Sequence, residues 1–176
     1  MTQIYEMTIF ETVTIILLLV LILAIVWMLT EFATLKKDLN DSPILMDPET
    51  RRLRLQAYER VTLLAERIGL TNVLSRVSVT GLSARQMQAT LANEIKQEYE
   101  YNISQQIYLT PEIWKAVKNL KEQNIYIINQ VGATLPAQAT AMDLNKQIIE
   151  FLLNHPDSSM QDLVLEAINH DAKKLM

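Results

Sequence analysis

Two histidines, His155 and His170, and the carboxylates Glu94, Glu98 and Glu100 are the side chains that could act as acids, bases or metal ligands. Neither histidine lies in an H-E-x-x-H, H-x-x-E-H or E-x-x-H pattern, and each falls in the last turn of a predicted helix, where a cation complements the helix dipole. Glu94 and Glu98 share a helix face, as metal-binding carboxylates would, but charges spaced in this way are more typical of a solvated face. We therefore predict no catalytic residue, no metal site and no cofactor, and we do not expect an enzyme.

The composition excludes several other classes of function. The chain has no cysteine, so it has no disulfide and no thiolate nucleophile or ligand. Its three glycines are too scattered for a phosphate-binding loop. The net charge of −4 is unlike that of a general nucleic-acid binder, which carries a basic excess. Few glycines and prolines also disfavour an all-β fold with many turns.

The stretch "ETVTIILLLVLILAIVWMLTEFATLKK", residues 11–37, predicts a transmembrane helix. The uncharged part spans about 28 Å as a helix, which is close to the thickness of a bilayer core. A cleaved signal peptide would have a basic N-terminal flank and a small-residue cleavage site, and a buried soluble helix is seldom apolar on all sides. The predicted membrane-spanning residues include Thr12, Leu18, Ile22, Trp27 and Thr30.

Basic residues follow this stretch and none precedes it, which predicts an outside N-terminus and a cytoplasmic C-terminal domain. The arginines crowd the first turns of the next predicted helix, where positive charge opposes the helix dipole. Anionic lipid headgroups could compensate for that cost, and ordinary pairing with neighbouring carboxylates is the alternative. The candidate headgroup contacts are Lys36, Lys37, Arg51, Arg52 and Arg54.

Three segments follow from these patterns: residues 1–37 as tail and anchor, 38–47 as a linker, and 48–176 as a helical soluble domain. Asp47 and Pro48 begin the first helix of the domain, which we predict to end at Gly69, a typical residue just beyond a helix. Residues 70–82 favour either a short helical turn or an extended connector. Ser83 and Gln86 form a capping box at the start of the second helix.

Apolar residues at helical spacing predict the remaining elements. The second helix is expected to be about 24 residues long, given its apolar positions, and the third begins at Thr110 and closes near Gly132. Asp143 is expected to cap the fourth helix, which His155 ends, and Ser158 or Ser159 to open the fifth. The predicted inward positions in these four helices are Met87, Leu91, Ile95, Tyr99, Ile103 and Ile107; Ile113, Val117, Leu120, Ile128 and Val131; Leu144, Ile148, Phe151 and Leu152; and Leu163, Ala167 and Ile168. The fold class is therefore all-α, with one transmembrane helix before a bundle of about five helices.

Residues 98–114, "EYEYNISQQIYLTPEIW", are dense in polar and aromatic groups around one apolar face. Tyrosine and tryptophan are enriched at protein interfaces, so these residues could form a contact surface. A corner between helices whose polar atoms are satisfied internally is the alternative. The candidate interface residues are Tyr99, Asn102, Gln105, Gln106, Tyr108 and Trp114.

Two segments carry a resemblance to a known type of protein: 55–60, "LQAYER", and 102–108, "NISQQIY". Together with Trp114 and the pairs at 121–122 and 128–129, they resemble a family of uncharacterised bacterial membrane-anchored proteins. The likeness covers residues 45–135. It implies a single-pass protein of the bacterial inner membrane with a helical domain, and it transfers no functional residue.

The sequence thus predicts a membrane-tethered helical interaction module or scaffold, with membrane lipid and either another protein or a second copy as partners. The alternative is a sensor or enzyme that holds a small molecule in a pocket of the bundle, which needs a concavity with converging polar groups.

Overall fold

The computed structural model describes residues 2–41, 47–155 and 160–176, with side chains described at 13–33, 47–155 and 160–176. The chain divides into two compact units, Met1–Met46 and Asp47–Met176. Seven α-helices and one 3-10 helix, with no β-strand, make up the described residues. The predicted all-α class is confirmed.

The first unit contains helix α1, Thr2–Asp41. Within it, Val13–Ala33 is long and apolar enough to cross a membrane, and it is the one such segment in the described residues. None of its side chains is buried, so Leu18, Ile22 and Trp27 are all exposed. The hydroxyl of Thr30 donates to the Trp27 carbonyl oxygen at 2.7 Å, which satisfies that polar group within the helix. The side chain of Thr12 lies outside the described residues.

Helix α2, Pro48–Ile68, opens the second unit with the predicted cap, since the Asp47 carboxylate accepts from the Thr50 amide at 3.4 Å. It ends at Gly69 as predicted, but not in the left-handed conformation of a typical helix-ending glycine: its φ is −57°. The position is crowded by a neighbour instead, because an added Cβ would lie 2.0 Å from Oε1 of Gln161 and that side chain would have to move. Helix α3, Leu70–Arg76, follows, so the helical alternative for this stretch is correct.

Helix α4, Ala84–Tyr101, begins with the predicted capping box of Ser83 and Gln86. It is 18 residues long, shorter than predicted, and a 3-10 helix, Ile103–Ile107, continues the chain. The prediction that Ile103 and Ile107 face inward is wrong, since both are exposed, Ile107 by 73%. The cause is the break at Asn102, because a 3-10 segment turns each residue further than an α-helix does and so shifts which side chains point inward.

Helix α5, Pro111–Thr134, carries the predicted apolar face, with Asn124 buried in the middle of it. The Asn124 side-chain amide donates to the carbonyl oxygen of Ile68 at 2.8 Å. That carbonyl belongs to the last turn of α2, where oxygens lack partners within the helix. A polar residue that weakened the apolar pattern therefore completes the end of a neighbouring helix.

Helices α6, Ala141–Asn154, and α7, Gln161–Lys173, complete the unit. The prediction that Asp143 caps α6 is wrong by one turn, because Thr140 is the cap. The Asp143 carboxylate instead accepts from the Thr140 amide at 2.8 Å, as the second member of a capping box. In α7, Val164 is buried and the predicted Leu163 is 65% exposed. The predicted start at Ser158 or Ser159 falls outside the described residues.

The core of the second unit is one continuous apolar cluster shared by α2 to α7. The N-termini of α4 and α6 are joined by two backbone hydrogen bonds, Ala84 to Ala139 at 2.9 Å and Ala141 to Leu82 at 3.0 Å. Burying each large aliphatic side chain stabilises the fold by roughly 1.5–3 kcal/mol. The largest fully buried side chains include Leu64, Ile68, Met87, Leu91, Ile95, Leu120, Ile128, Leu144, Ile148 and Ile168.

Candidate functional site

The predicted protein interface around α4 and α5 is largely a corner inside the domain. Tyr99 is buried and stacks on Trp114, with ring centroids 5.0 Å apart, and the Lys121 ammonium lies 4.4 Å from the Tyr99 centroid. Burial, reinforced by the negative charge of Glu122, raises the pKa of Tyr99. The Tyr99 ring of α4 is therefore in contact with both an aromatic ring and a cation of α5.

The polar members of the predicted interface are mostly turned inward as well. Asn102 is buried and donates to the Glu98 carbonyl oxygen at 2.9 Å, and Gln105 is buried with its amide 3.2 Å from the Ser104 hydroxyl. Tyr108 is half-buried, and Gln106 is the fully exposed member of the set. The structure therefore gives this corner a clear role in holding the end of α4 against its neighbours.

The arginines of the predicted headgroup cluster lie in three different environments. Arg52 forms an exposed ion pair with Glu49 at 2.5 Å, which raises the pKa of Arg52 and lowers that of Glu49. Arg54 is half-buried and donates from Nε to the Tyr108 carbonyl oxygen at 3.1 Å. Arg51 is exposed. The side chains of Lys36 and Lys37 lie outside the described residues.

A groove between α2 and α4 is the concavity that the sequence did not reveal. Its volume is about 530 Å³, and Leu63 and Tyr101 line it although they are 62% and 75% exposed. Exposed apolar side chains that cluster beside a concavity indicate an interaction site, whereas single exposed apolar residues are normal. The full lining is Arg60, Leu63, Leu64, Arg67, Glu94, Gln97, Glu98, Tyr101 and Asn102.

The charges of this α2–α4 groove are unequally placed along its length. At one end, Arg67 donates from Nε to Glu98 at 2.7 Å, and this contact, with a smaller effect of the nearby Glu94 charge, raises the pKa of Arg67. At the other end, the guanidinium carbon of Arg60 lies 6.0 Å from the Tyr101 ring centroid. That contact with an exposed ring is worth only about 0.5–1 kcal/mol.

A sequence signal for the groove does exist. Leu63 lies off the apolar face of α2, between Arg60 and Arg67 in the helix, so three large side chains project on a side that the core does not use. Helix periodicity alone treats such a leucine as an ordinary exposed residue. Only the antiparallel neighbour α4, which supplies Tyr101 beside it, makes a groove.

Comparison with known proteins adds one assignment. A family model described as a family of unknown function, DUF7935, matches residues 7–175. The chain belongs to DUF7935. No curated protein and no solved structure matches the chain significantly. The resemblance to an uncharacterised family is thereby confirmed, and the match extends beyond 45–135 to both units of this DUF7935 chain.

A second polar cluster of the DUF7935 chain fixes its last helix to the rest of the domain. The Asp171 carboxylate accepts from the Tyr58 hydroxyl at 2.6 Å, the Thr110 hydroxyl at 2.9 Å and the Lys174 ammonium at 2.9 Å. Tyr58 is buried, and burial followed by its bond to Asp171 raises its pKa. The cluster joins α7 to α2 and to the residue before α5. We call these four side chains, Tyr58, Thr110, Asp171 and Lys174, the Asp171 lock.

The two histidines first considered for chemistry lie apart, whereas Glu94 and Glu98 both line the α2–α4 groove. His155 ends α6 and stacks on Phe151 at 4.6 Å between ring centroids, and His170 is exposed in the last turn of α7. Within the described parts of the chain, no group of three or more acidic or histidine side chains could hold a metal ion.

Proposed function

We propose that this protein is a membrane-tethered helical interaction module. The observation that carries the proposal is the segment Val13–Ala33, 21 residues with a mean hydropathy of 3.0 and no buried side chain. As a helix it is about 31 Å long, enough for a bilayer core of about 30 Å. Exposing that much apolar surface to water costs about 25 cal/mol per Å², and a bilayer removes the cost.

The domain that follows carries its own apolar core, so it does not need α1 as a core element. In this proposal, α1 confines the chain to a membrane and the domain binds a partner protein or a second copy of the chain. Tethering raises the effective concentration of a binding surface near membrane partners without any new contact. The α2–α4 groove is the candidate binding surface, because it combines exposed apolar groups with charges at its rim.

The proposed topology puts the N-terminus outside and the domain in the cytoplasm of a bacterium, at the inner membrane. The basis is the excess of basic residues after α1, Lys36 and Lys37 first, and the absence of basic residues before it. In that topology the exposed Arg51 is the leading candidate for contact with anionic headgroups, at about 1 kcal/mol for a basic residue near the surface, and Arg52 contributes less because it is paired with Glu49. Arg54 contributes less, since its guanidinium is engaged by the Tyr108 carbonyl.

Cell fractionation of the full chain tests the anchor. We expect the protein to stay with membranes after alkaline carbonate washing, which strips peripheral proteins. A variant with Leu18→Arg and Ile22→Arg should lose this retention, because each arginine at a helix centre costs about 2.5 kcal/mol or more. The matched control is Leu63→Arg in the domain, which should remain bound. Release of the parent chain by carbonate would overturn the proposal.

Reporter fusions at Met176 test the topology separately. A reporter active only in the cytoplasm should work there, and one active only outside should not. The opposite pattern would reverse the proposed orientation while leaving the anchor in place.

A small-molecule sensor or enzyme is the second candidate, favoured by the groove volume of about 530 Å³. Ligand pockets commonly measure about 300–1,000 Å³. A thermal-shift screen of the full chain in detergent discriminates the two functions. Stabilisation by a small molecule, abolished by Leu63→Arg, would favour the sensor, whereas the interaction module predicts none.

A further inference from the structure

The α2–α4 groove has opposite charges at its two ends. The helices run antiparallel along it, because Arg67 meets Glu98 while Arg60, seven residues earlier, meets Tyr101. Arg60 forms no ion pair within the described residues, so its end is positive. At the other end Arg67 is matched by Glu98 and Glu94 adds a further negative charge, so that end is negative.

The centre of the groove is apolar. Leu63 lies between the two charged ends on α2, and Gln97 and Tyr101 line the same groove from α4. Apolar groups surrounded by charged ones are the usual arrangement of a protein contact surface, with a desolvated centre and a polar rim. The pattern along the groove is therefore cation, apolar centre, anion.

We infer that the α2–α4 groove binds the same groove of a second copy of this chain across a two-fold axis. A surface that contacts itself around such an axis must be complementary to itself when reversed. Reversal places the Arg60 end against the Glu94 end of the partner subunit, twice by symmetry, and places the two Leu63 centres together. A partner helix carrying one sign of charge would match only one end.

This inference rests on the proposed function, because tethering is what makes so small a contact effective. Nine residues line the groove, fewer than the roughly 20–30 residues on each side of a standard interface, and complexes with small interfaces are transient in free solution. Two copies held in one membrane meet at a much higher effective concentration. Self-association through the groove would then follow the surface density of the protein in the membrane.

Disulfide crosslinking in native membranes tests the inference, since the chain has no cysteine of its own. Gln97→Cys places one thiol near the predicted axis. Met142→Cys, at an exposed position of α6, is the matched control. With a mild oxidant we expect Gln97→Cys to give a homodimer band and Met142→Cys to give little.

Charge exchange then tests the predicted pairing. Arg60→Glu in the Gln97→Cys background should reduce crosslinking about tenfold, because two attractive contacts become repulsive. Adding Glu94→Lys should restore it. The two positions lie at opposite ends of the groove, about 10 Å apart along the helix direction, and restored crosslinking between chains is the result expected if the pair joins two chains. Arg60→Gln should give an intermediate loss, and it replaces Arg60→Glu if that variant unfolds.

The outcomes separate this inference from the anchor proposal. Membrane-bound protein in which Gln97→Cys gives no homodimer, or crosslinks to a different protein, overturns the second-copy inference and leaves the tethered module standing. Failure of Glu94→Lys to restore crosslinking overturns the two-fold pairing. Release of the chain from membranes overturns the proposed function itself.

Discussion

The Asp171 lock gives the sharpest prediction about stability. Asp171→Ala removes the shared acceptor of three donors, of which the Tyr58 hydroxyl is the most buried. The Lys174 ammonium can turn to water, but the Tyr58 hydroxyl is left with the neighbouring Thr110 hydroxyl, a neutral partner in place of a carboxylate. Asp171→Ala therefore removes the charged acceptor of a buried donor at the junction of α2, α5 and α7.

The expected loss is about 2–4 kcal/mol in the free energy of unfolding of the domain. A hydrogen bond to a charged group contributes about 1.5–3 kcal/mol, and a buried donor left alone costs about 1–3 kcal/mol. The bond from Lys174 adds little, because that side chain is 61% exposed. Tyr58→Phe removes one donor without changing packing, so it should cost about 1–1.5 kcal/mol.

The lock also predicts how this loss depends on pH. Burial alone would raise the pKa of Asp171, but its hydrogen bonds from Tyr58, Lys174 and Thr110 outweigh burial and lower it below the ordinary 3.8. A carboxylate whose pKa is lowered by folding stabilises the fold above its unfolded pKa and stops doing so as the pH falls through its folded pKa. The difference in the free energy of unfolding between the parent chain and Asp171→Ala should therefore be largest at neutral pH and should shrink below about pH 3.8.

Denaturant unfolding of the full chain in detergent, followed by circular dichroism, measures these differences. A double-mutant cycle of Asp171→Ala and Tyr58→Phe should be non-additive, with the second change costing far less once the first is present. Lys174→Ala is the matched control and should change stability by less than about 0.5 kcal/mol. A loss under about 0.5 kcal/mol for Asp171→Ala, or strict additivity in the cycle, would refute the assignment of a buried lock.

Three smaller changes test the local structure by the same unfolding assay. Gly69→Ala should change stability by less than about 1 kcal/mol, because its φ suits alanine and the obstructing Gln161 side chain can move; a loss above about 2 kcal/mol would mean that the contact cannot relax. Asn124→Leu should cost about 1–3 kcal/mol by leaving the Ile68 carbonyl unsatisfied in the core, and a stabilised variant would contradict that role. Ser83→Ala should cost about 1 kcal/mol by removing the cap of α4, and an unchanged midpoint would mean that the capping box contributes nothing.

The helix starts were predictable because capping uses short-range chemistry. Asp47 accepts from the Thr50 amide and Ser83 pairs with Gln86, each within one turn, so the residue types alone identify these caps. Thr140 was missed in favour of Asp143 because both belong to the same capping box, and sequence alone does not say which residue leads. The apolar faces of α2 and α5 followed from spacing for the same local reason.

The errors arose where a neighbour in space decides the outcome. The apolar repeat of α4 continues in sequence to Ile107, yet the helix breaks at Asn102 and the phase is lost. In α7 both Leu163 and Val164 are apolar, and only packing against α2 and α5 selects Val164. Gly69 was identified correctly as a helix end, but it is not left-handed, and the side chain that crowds it, Gln161, lies 92 positions later.

The break at Asn102 also explains why the proposed contact surface is the α2–α4 groove and not the aromatic corner. An unbroken α4 would carry Tyr99, Ile103 and Ile107 along one buried face. The break ends α4 at Tyr101, just before the buried Asn102, and leaves the Tyr101 ring on the outside of the last turn. There it meets Arg60 and Leu63 of α2, so the residue that ends the helix also completes the α2–α4 groove. The corner holds the end of α4 in place, and the groove on the other side of that end is the surface proposed to bind.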